Sequence, residues 1–453
     1  MSTISRRNFL KFAGAGTAGA GLLGTPLARA ASQARVVIVG GGVGGATTAK
    51  YIKLYAPEID VTIVEPKREY QRPYGSSEVI TGQVTMDDIT ISYDALKNRH
   101  GVKFVHDAVT EIDYDNKRVV TAGGKQVGYD RLVMSPGISF DFDAIEGLTE
   151  ELAEKKLPHA WDAGDQLLEL KAQLAAVPEN GTVIVGPPPG PYRCPPGPYE
   201  RAGLIAQWLL DRGDSSPRVI ILDPKNGFTT DYSMLHAWNE LYRFNIPEPA
   251  RSKYTEEELA QLQTHDNPGP IEWIMGEMGG QILKVDAENM TVEAEAGVFE
   301  ADMINIIPPL KAAQIAIDQD LTDGSGWCPV DQKTFESTRH PNVHVIGDSC
   351  IAGAMPKSGY AANSQAKVLA IQLKALLAGN EPVEPMFQNT CYALAGNTDS
   401  GMFVADVFRL KDGRIERVDE QRYLPFEATK VQKKLAALYQ HNWMTAFTED
   451  CFS

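Results

Sequence analysis

Cysteine is scarce in this chain of 453 residues, and no cysteine precedes position 194. The five cysteines are Cys194, Cys328, Cys350, Cys391 and Cys451. None begins the Cys-x-x-Cys-His motif of covalent haem attachment, and none forms the Cys-x-x-Cys pair typical of a zinc site. The eight histidines show no ligand spacing either. The sequence therefore predicts no metal site, and the odd cysteine count leaves at least one thiol free or paired outside the chain.

A long hydrophobic run is absent from the N-terminal region, which carries the pattern of an export signal instead. Residues 5–11 (SRRNFLK) form a twin-arginine motif, followed by a glycine-rich apolar stretch at 12–23. That stretch is too short to span a bilayer, which needs about 20 apolar residues. Ala28 and Ala30 supply a cleavage site, so removal of residues 1–30 and a periplasmic mature protein are expected. The alternatives are an ordinary basic N-terminus and an uncleaved anchor.

An excess of positive charge is also missing. The formal net charge of −16 becomes −20 once residues 1–30, with four cations and no acids, are removed. Such acidity argues against nucleic acid and anionic membrane as partners, and it favours a basic protein or a basic patch on a partner. Solubility alone is the other explanation of the charge. About 420 mature residues exceed one core, so two or three domains are expected.

The first strong pattern that is present is a dinucleotide-binding motif. The apolar strand at 35–39 leads into Gly40, Gly42 and Gly45 and then into a helix. These glycines permit a tight turn, a close approach to a pyrophosphate and helix packing on the strand, in that order. Glu65 ends the next strand, at the position where an acid binds an adenosine ribose. A chance glycine-rich loop would not bring strand, helix and acid into register.

A second nucleotide site is missing where one would be expected. Residues 181–186 form another apolar strand, but the turn after it reads PPPGP at 187–191. Proline has no backbone N–H to hold a pyrophosphate and fixes φ. The sequence therefore predicts that this domain does not bind NADH or NADPH, and that the loop bearing Cys194 takes the place of that site.

Two later segments are similar to the flavin-binding parts of two-dinucleotide-domain flavoproteins. Residues 129–137, ending at Gly137, match the strand and turn that close the first flavin half, and Asp348 stands where the ribityl chain is bound. The helix after Lys357 is expected to direct its N-terminus at the flavin, where its dipole stabilises negative charge on the reduced ring. Beyond Gly379 a small interface domain of alternating strands and a helix from Lys430 to Trp443 is predicted.

Nearly the whole mature sequence resembles the flavoprotein subunit of flavocytochrome c sulfide dehydrogenase. The most specific segments are 193–200 (RCPPGPYE), 326–331 (GWCPVD) and 347–360 (GDSCIAGAMPKSGY). The resemblance implies a disulfide between Cys194 and Cys350 beside FAD, oxidation of hydrosulfide there, and electron transfer to a c-type cytochrome subunit.

The predicted architecture is α/β, with two Rossmann-like dinucleotide-binding domains of the glutathione-reductase type and a small C-terminal α+β interface domain. The expected ranges are a signal peptide at 1–30, an FAD-binding domain at 31–146 and 307–378, an NAD-like domain without a nucleotide site at 147–306, and the interface domain at 379–453. Gly40, Gly42, Gly45, Glu65, Gly137, Asp348 and Lys357 are the predicted cofactor-binding residues.

One departure from the family pattern concerns how FAD is held. The family links FAD through a cysteine in the loop after the second strand, and Pro73 occupies that position in the stretch 69–79 (EYQRPYGSSEV). We therefore predict non-covalent FAD, which puts the flavin's potential and the preferred substrate in question.

The predicted catalytic residues are Cys194, Cys350 and Glu200. Hydrosulfide would attack the disulfide, leaving a persulfide on Cys194, while Cys350 transfers the electron pair. Glu200 is a candidate proton donor or acceptor, with a solvated carboxylate at the start of a helix as the alternative. The cysteine pair has a structural disulfide as its alternative, and Cys328, Cys391 and Cys451 are expected to be structural or inert.

Two other functions remain open at this point. A sulfide:quinone reductase would share the flavin and disulfide but needs a membrane-inserting C-terminus. Glu449 and Asp450 make the end of this chain acidic, and no Lys or Arg follows Lys434, which disfavours membrane insertion. The third possibility is a non-catalytic electron-transfer or sulfur-binding flavoprotein.

Overall fold

The computed structural model describes residues 34–419 and 421–453, so the predicted signal peptide and its cleavage position lie outside the described residues. The strands are β1 (Arg35–Val39), β2 (Asp60–Val64), β3 (Glu69–Gln71), β4 (Thr90–Ser92), β5 (Lys103–Val105), β6 (Val109–Asp113), β7 (Arg118–Thr121), β8 (Gln126–Gly128), β9 (Arg131–Met134), β10 (Ile138–Phe140), β11 (Thr182–Gly186), β12 (Arg218–Leu222), β13 (Ile271–Ile274), β14 (Ile282–Asp286), β15 (Thr291–Ala294), β16 (Gly297–Glu300), β17 (Met303–Ile306), β18 (Leu310–Ala312), β19 (Val343–Val345), β20 (Met386–Leu394), β21 (Gly401–Lys411), β22 (Arg414–Arg417) and β23 (Arg422–Tyr423).

The α-helices alternate with these strands through most of the described chain. They are α1 (Val43–Tyr55), α2 (Ser77–Thr81), α3 (Met86–Ile89), α4 (Asp94–Asn98), α5 (Glu150–Lys155), α6 (Asp165–Ala176), α7 (Gly197–Arg212), α8 (Asp231–Tyr242), α9 (Glu248–Arg251), α10 (Glu256–Leu259), α11 (Gln314–Asp318), α12 (Gly359–Leu377) and α13 (Lys430–Phe452).

Two parallel sheets form the body of the molecule, and the predicted α/β class is confirmed. The first sheet has the order β19-β9-β1-β2-β5, and the second has the order β13-β12-β11-β17. Their central strands are buried, as the β-branched runs VVIV in β1 and VIV in β11 dictate for sheets covered on both faces. The first sheet joins strands from distant parts of the sequence, since β19 pairs with β9.

The antiparallel sheet that follows α12 is covered by the C-terminal helix. It has the order β20-β21-β22, with β23 also paired to β21. Helix α13 reaches Phe452, nine residues beyond the Trp443 predicted as its end. Its last turns are anchored to the first sheet's region, because Phe452 stacks on Tyr70 with 4.9 Å between ring centroids and Asp450 accepts a 2.6 Å hydrogen bond from Tyr51.

Candidate active site

A long cavity runs along the carboxyl ends of the first sheet, where ligands bind in open parallel α/β sheets. Its walls come from the glycine turn after β1, the segments after β2 and β3, the loop before α7, residues 347–348, the start of α12, β20 and α13. The C-terminal helix therefore closes one side of the cavity with Trp443, Met444 and Phe447.

The glycine turn has the geometry that the motif predicted. Gly40 and Gly42 line the cavity, while a side chain at Gly40 would overlap the carbonyl oxygen of Ser135. Gly45 lies on α1 behind the turn, and a Cβ there would overlap the carbonyl oxygen of Gly40. Gly40 thus permits the tight turn, Gly42 leaves room for a pyrophosphate beside the backbone, and Gly45 permits close helix packing, as a dinucleotide site requires.

Three further predicted residues also lie on the cavity wall and suit the two ends of FAD. Glu65 accepts hydrogen bonds of 2.7 Å from the Gly41 amide and 2.9 Å from the Lys67 amide, so its carboxylate is fixed beside the glycine turn. Gly137 follows β9 with φ +81°, and Asp348 stands opposite on the segment after β19. Buried Oδ1 of Asp348 has no hydrogen-bond partner within the described chain. An unsatisfied buried acceptor needs a donor, which a ribityl hydroxyl group of FAD would supply.

Helix α12 begins at the same cavity. Ser358 caps it by accepting a 3.0 Å hydrogen bond from the Ala361 amide, and Ser358, Gly359 and Tyr360 line the wall. This places the positive end of the helix dipole at the long cavity described above (the cofactor cavity), as predicted. Lys357 itself lies elsewhere. Its ammonium group donates to the carbonyl oxygens of Asp348 (2.7 Å) and Cys350 (3.0 Å) and sits 3.6 Å from the centre of the Trp327 ring.

Cys194 lines the cofactor cavity at the loop before α7. Its backbone has φ +56°, a conformation that costs a non-glycine residue about 1–3 kcal/mol and is found at functional sites. Two backbone hydrogen bonds hold it: Cys194 N–H donates to Lys357 (2.8 Å), and Gly197 N–H donates to Cys194 (2.9 Å). Burial raises the pKa of the Cys194 thiol to about 12.

Cys350 lies on the other side of the Asp348 segment and lines a second cavity of about 780 Å³. Gly347 belongs to the walls of both cavities, so they meet there. Cys328 forms a parallel β-bridge with Cys350, and burial raises the pKa of both thiols to about 12, while nearby Lys357 opposes the shift at each. All five cysteines are thiols in the structure, so a bond between Cys194 and Cys350 stays a prediction for the oxidised protein.

Glu200 is not a solvated carboxylate at the start of α7, the alternative considered above. It projects into the cofactor cavity, where Oε1 accepts hydrogen bonds from the Leu394 amide (2.7 Å) and from Nε2 of Gln440 (3.1 Å). Burial raises the pKa of Glu200 from 4.5 to about 7, although these two donors oppose the shift. A carboxyl group with that pKa can both accept and return a proton near neutral pH.

Cys391 is a site feature that the sequence did not single out. It lies on β20, on the cavity wall that also carries Cys194 and Glu200. Burial, followed by the charge of Cys194, raises the pKa of Cys391 well above its usual value. Its position depends on the pairing of β20 with β21. No local sequence motif at Cys391 predicts that pairing.

The loop after β3 completes the cavity without a cysteine. Pro73, Tyr74, Gly75 and Ser76 all line it, so the stretch predicted to face the flavin does reach the wall. A proline has no nucleophilic atom to bond a flavin. The residues around the cavity fit FAD, and this loop offers it no thiol.

Comparisons with known proteins show which family the chain belongs to. The family described as "Sulfide dehydrogenase [flavocytochrome c] flavoprotein chain, central" matches residues 167–308, and its flavin-binding counterpart matches residues 383–452. The pyridine nucleotide-disulphide oxidoreductase family matches residues 34–186. A flavocytochrome c sulfide dehydrogenase flavoprotein chain from Chlorobaculum thiosulfatiphilum is 61% identical over 36 residues, which are 8% of this chain and 75% of that one. The chain belongs to the family of flavocytochrome c sulfide dehydrogenase flavoproteins.

The chain is also similar to sulfide:quinone oxidoreductases. The mitochondrial sulfide:quinone oxidoreductase of Mus musculus is 23% identical over 350 residues, covering 77% of this chain and 72% of the mouse protein. The sulfide:quinone oxidoreductase structure from Aquifex aeolicus covers 92% of both chains with a TM-score of 0.66 and 18% identity. That structure supports the fold, and the family matches identify the chain as a flavin oxidoreductase of the sulfide-oxidising class.

The export prediction is also confirmed. The twin-arginine translocation signal family matches residues 3–22, which supports export of this flavocytochrome c sulfide dehydrogenase homologue to the periplasm. Within residues 34–419 and 421–453, no helix is long and apolar enough to cross a membrane.

Proposed function

We propose that the protein is an FAD-dependent sulfide dehydrogenase that oxidises hydrosulfide at Cys194 and Cys350 and delivers electrons to a c-type cytochrome. The observation that carries this proposal is the meeting of two distant segments at Lys357. The Lys357 carbonyl oxygen holds the Cys194 amide, and its ammonium group holds the Cys350 carbonyl oxygen. Cys194 lines the cofactor cavity and Cys350 lines the second cavity, and Gly347 belongs to both walls, which supports a redox role for the pair rather than a purely structural one.

The sulfur chemistry starts from the oxidised pair. Hydrosulfide attacks the Cys194 sulfur, the S–S bond breaks, and the products are a Cys194 persulfide and a Cys350 thiolate. The ammonium group of Lys357 lies beside Cys350 and lowers the pKa of its thiol against the effect of burial. Lys357 therefore stabilises the sulfur that has to carry the negative charge.

Glu200 serves the proton that this oxidation releases. Conversion of hydrosulfide to the level of elemental sulfur gives up two electrons and one proton. Glu200 lies in the same cavity wall as Cys194, and its pKa of about 7 suits a group that accepts that proton and passes it on.

FAD is proposed to be held without a covalent link. Gly40, Gly42 and Glu65 bind the adenosine diphosphate part, Gly137 and Asp348 bind toward the ribityl chain, and Gly45 supports the turn from behind. FAD supplies the two-electron acceptor next to the cysteines. The family supports FAD as the cofactor, and Pro73 supports its non-covalent attachment.

The electron acceptor is proposed to be a cytochrome because of the charge of the chain and the family to which it belongs. A net charge of −20 after removal of residues 1–30 complements a basic rim around a haem edge. Sulfide is offered to the purified protein with soluble c-type cytochrome or with a short-chain quinone. The proposal expects fast reduction of the cytochrome only, and reduction of neither acceptor would favour a non-catalytic flavoprotein.

Quinone remains a second candidate acceptor because of one feature of α13. Val431, Leu435, Leu438 and Tyr439 share one exposed stripe of this helix, with 67%, 39%, 54% and 51% of their surfaces accessible. Such a stripe suits contact with a membrane surface or with a partner protein. Fast reduction of the quinone in the same assay would favour this candidate.

A further inference from the structure

Glu78 is a buried carboxylate that the proposed sulfur chemistry does not use. It lies on α2 with 1% of its surface exposed, and neither carboxylate oxygen makes a hydrogen bond within the described chain. Ionised side chains are buried at high cost unless they are paired. The group close to it is His441 on α13, whose Nε2 lies 3.3 Å from Oε1, within ion-pair distance but without hydrogen-bond alignment.

Glu78 also influences Glu200, the proposed acceptor of the reaction's proton. Its charge contributes to raising the pKa of Glu200, so the two carboxyl groups interact electrostatically. Gln440 is the link between them: its Nε2 donates to Glu200, and the next residue along α13 is His441. Oε1 of Gln440 is buried and has no partner in the described chain. These unpartnered acceptors of Gln440 and Glu78 need donors, which water molecules would supply.

His441 connects this group of buried side chains with solvent. Its side chain is 43% exposed, whereas that of Glu78 is 2% exposed. The interaction with Glu78 raises the pKa of His441 above 6.5. Arg72 after β3 also interacts electrostatically with Glu78. Two further cations lie near its helix: Arg201 on α7 donates to Ser77, and Lys171 on α6 lies near Gly82 at the end of α2.

We propose that Glu78 and His441 form a proton relay that connects Glu200 in the cofactor cavity with solvent, and that Gln440 positions its inner end. The relay rests on the proposed function, because it carries the proton that hydrosulfide oxidation releases at Glu200. The proton moves from Glu200 through water at Gln440 to Glu78, then to His441 and out. No bond other than O–H and N–H bonds is made or broken on the way.

Chemical rescue distinguishes a relay from a structural role. Sulfide turnover is measured with ferricyanide, a soluble one-electron acceptor, in dilute buffer at pH 7, with and without added imidazole. His441→Ala is expected to lose about tenfold or more in rate, in line with the loss of a proton-transfer group. Imidazole should restore that rate in a saturable manner, because it can deliver protons at the exposed end. Glu78→Gln should be slowed as much, but imidazole should not rescue it, because the missing proton-transfer group is then buried.

Controls separate the relay from the function on which it rests. His265→Ala, a histidine outside both cavities, should match the unchanged protein with and without imidazole. Flavin absorbance checks that each variant holds its cofactor, and His441→Gln replaces the alanine variant if that one loses flavin. Full turnover of the His441 variant in dilute buffer, or a loss that imidazole does not repair, overturns the relay. Failure of the unchanged protein to oxidise sulfide overturns the proposed function instead.

Discussion

The backbone amide of Cys194 donates a 2.8 Å hydrogen bond to the carbonyl oxygen of Lys357, 163 positions later in the sequence. The same lysine contacts the Cys350 carbonyl oxygen with its ammonium group. One residue therefore ties together the loop before α7 and the segment after β19. That arrangement brings the backbone segments of Cys194 and Cys350, which belong to different predicted domains, to the same lysine.

The first prediction concerns the attachment of FAD. Because Pro73 stands on the cavity wall and offers no thiol, acid precipitation of the purified protein should release all of its flavin into the supernatant. Absorbance spectra of the supernatant and of the redissolved pellet measure the two fractions. Flavin that stays with the precipitated chain would show a covalent link elsewhere.

The second prediction concerns nicotinamide nucleotides. The turn after β11 is filled by prolines, and α7 starts only at Gly197, so no glycine turn leads from this strand directly into a helix. Stoichiometric NADH or NADPH should leave the flavin absorbance unchanged under anaerobic conditions, whereas sulfide should bleach it. Rapid bleaching by either nucleotide would mean that the second sheet still carries a nucleotide site.

The third prediction concerns Lys357. Its positive charge lowers the pKa of the Cys350 thiol, so Lys357→Met should raise that pKa further. In the reduced protein, the rate of alkylation of Cys350 by iodoacetamide, followed by peptide mass spectrometry, should rise only at higher pH than before. Lys225→Met is the matched control, because Lys225 lines the same second cavity but is paired with Asp223 at 2.7 Å. Equal alkylation profiles for the unchanged protein and both variants would show that Lys357 does not lower the pKa of Cys350.

The fourth prediction concerns Glu200 and pH. Its pKa is raised to about 7, so the carboxylate that accepts protons is present above pH 7 and lost as the pH falls through that value. The rate of flavin reduction by sulfide, corrected for the ionisation of hydrogen sulfide, should rise through pH 7. Glu200→Gln should flatten this limb and lower the plateau by about a hundredfold. An unchanged pH profile in the variant would assign the limb to another group.

Much of the fold follows from the sequence because its patterns are local. The glycines at 40, 42 and 45 act within one turn. The apolar runs of β1 and β11 predict buried parallel strands without any knowledge of distant contacts. The domain ranges given above stay predictions, as does the assignment of individual residues to FAD.

The parts that the sequence did not reveal depend on contacts between distant segments. Glu200 lies at the start of a helix and looks solvated in sequence, but Leu394 and Gln440 enclose it from 194 and 240 positions away. The same folding brings Cys391 to the wall shared with Cys194. The C-terminal helix is longer than predicted: buried Met444, Phe447 and Cys451 continue its packed face at helical spacing, and the last turn also contacts Tyr70 and Tyr51.

The central claim is that Cys194 and Cys350 are a redox pair that reacts with sulfide. The most direct measurement is the rate of cytochrome reduction by sulfide in Cys194→Ser and Cys350→Ser, compared with Cys451→Ser, a buried cysteine outside both cavities. Both test variants should keep their flavin and their unfolding temperature while the rate falls about a thousandfold, equivalent to ~4 kcal/mol in the barrier, and the Cys451 variant should stay active. Near-normal turnover in both test variants would contradict the sulfide mechanism and make any bond between these cysteines structural.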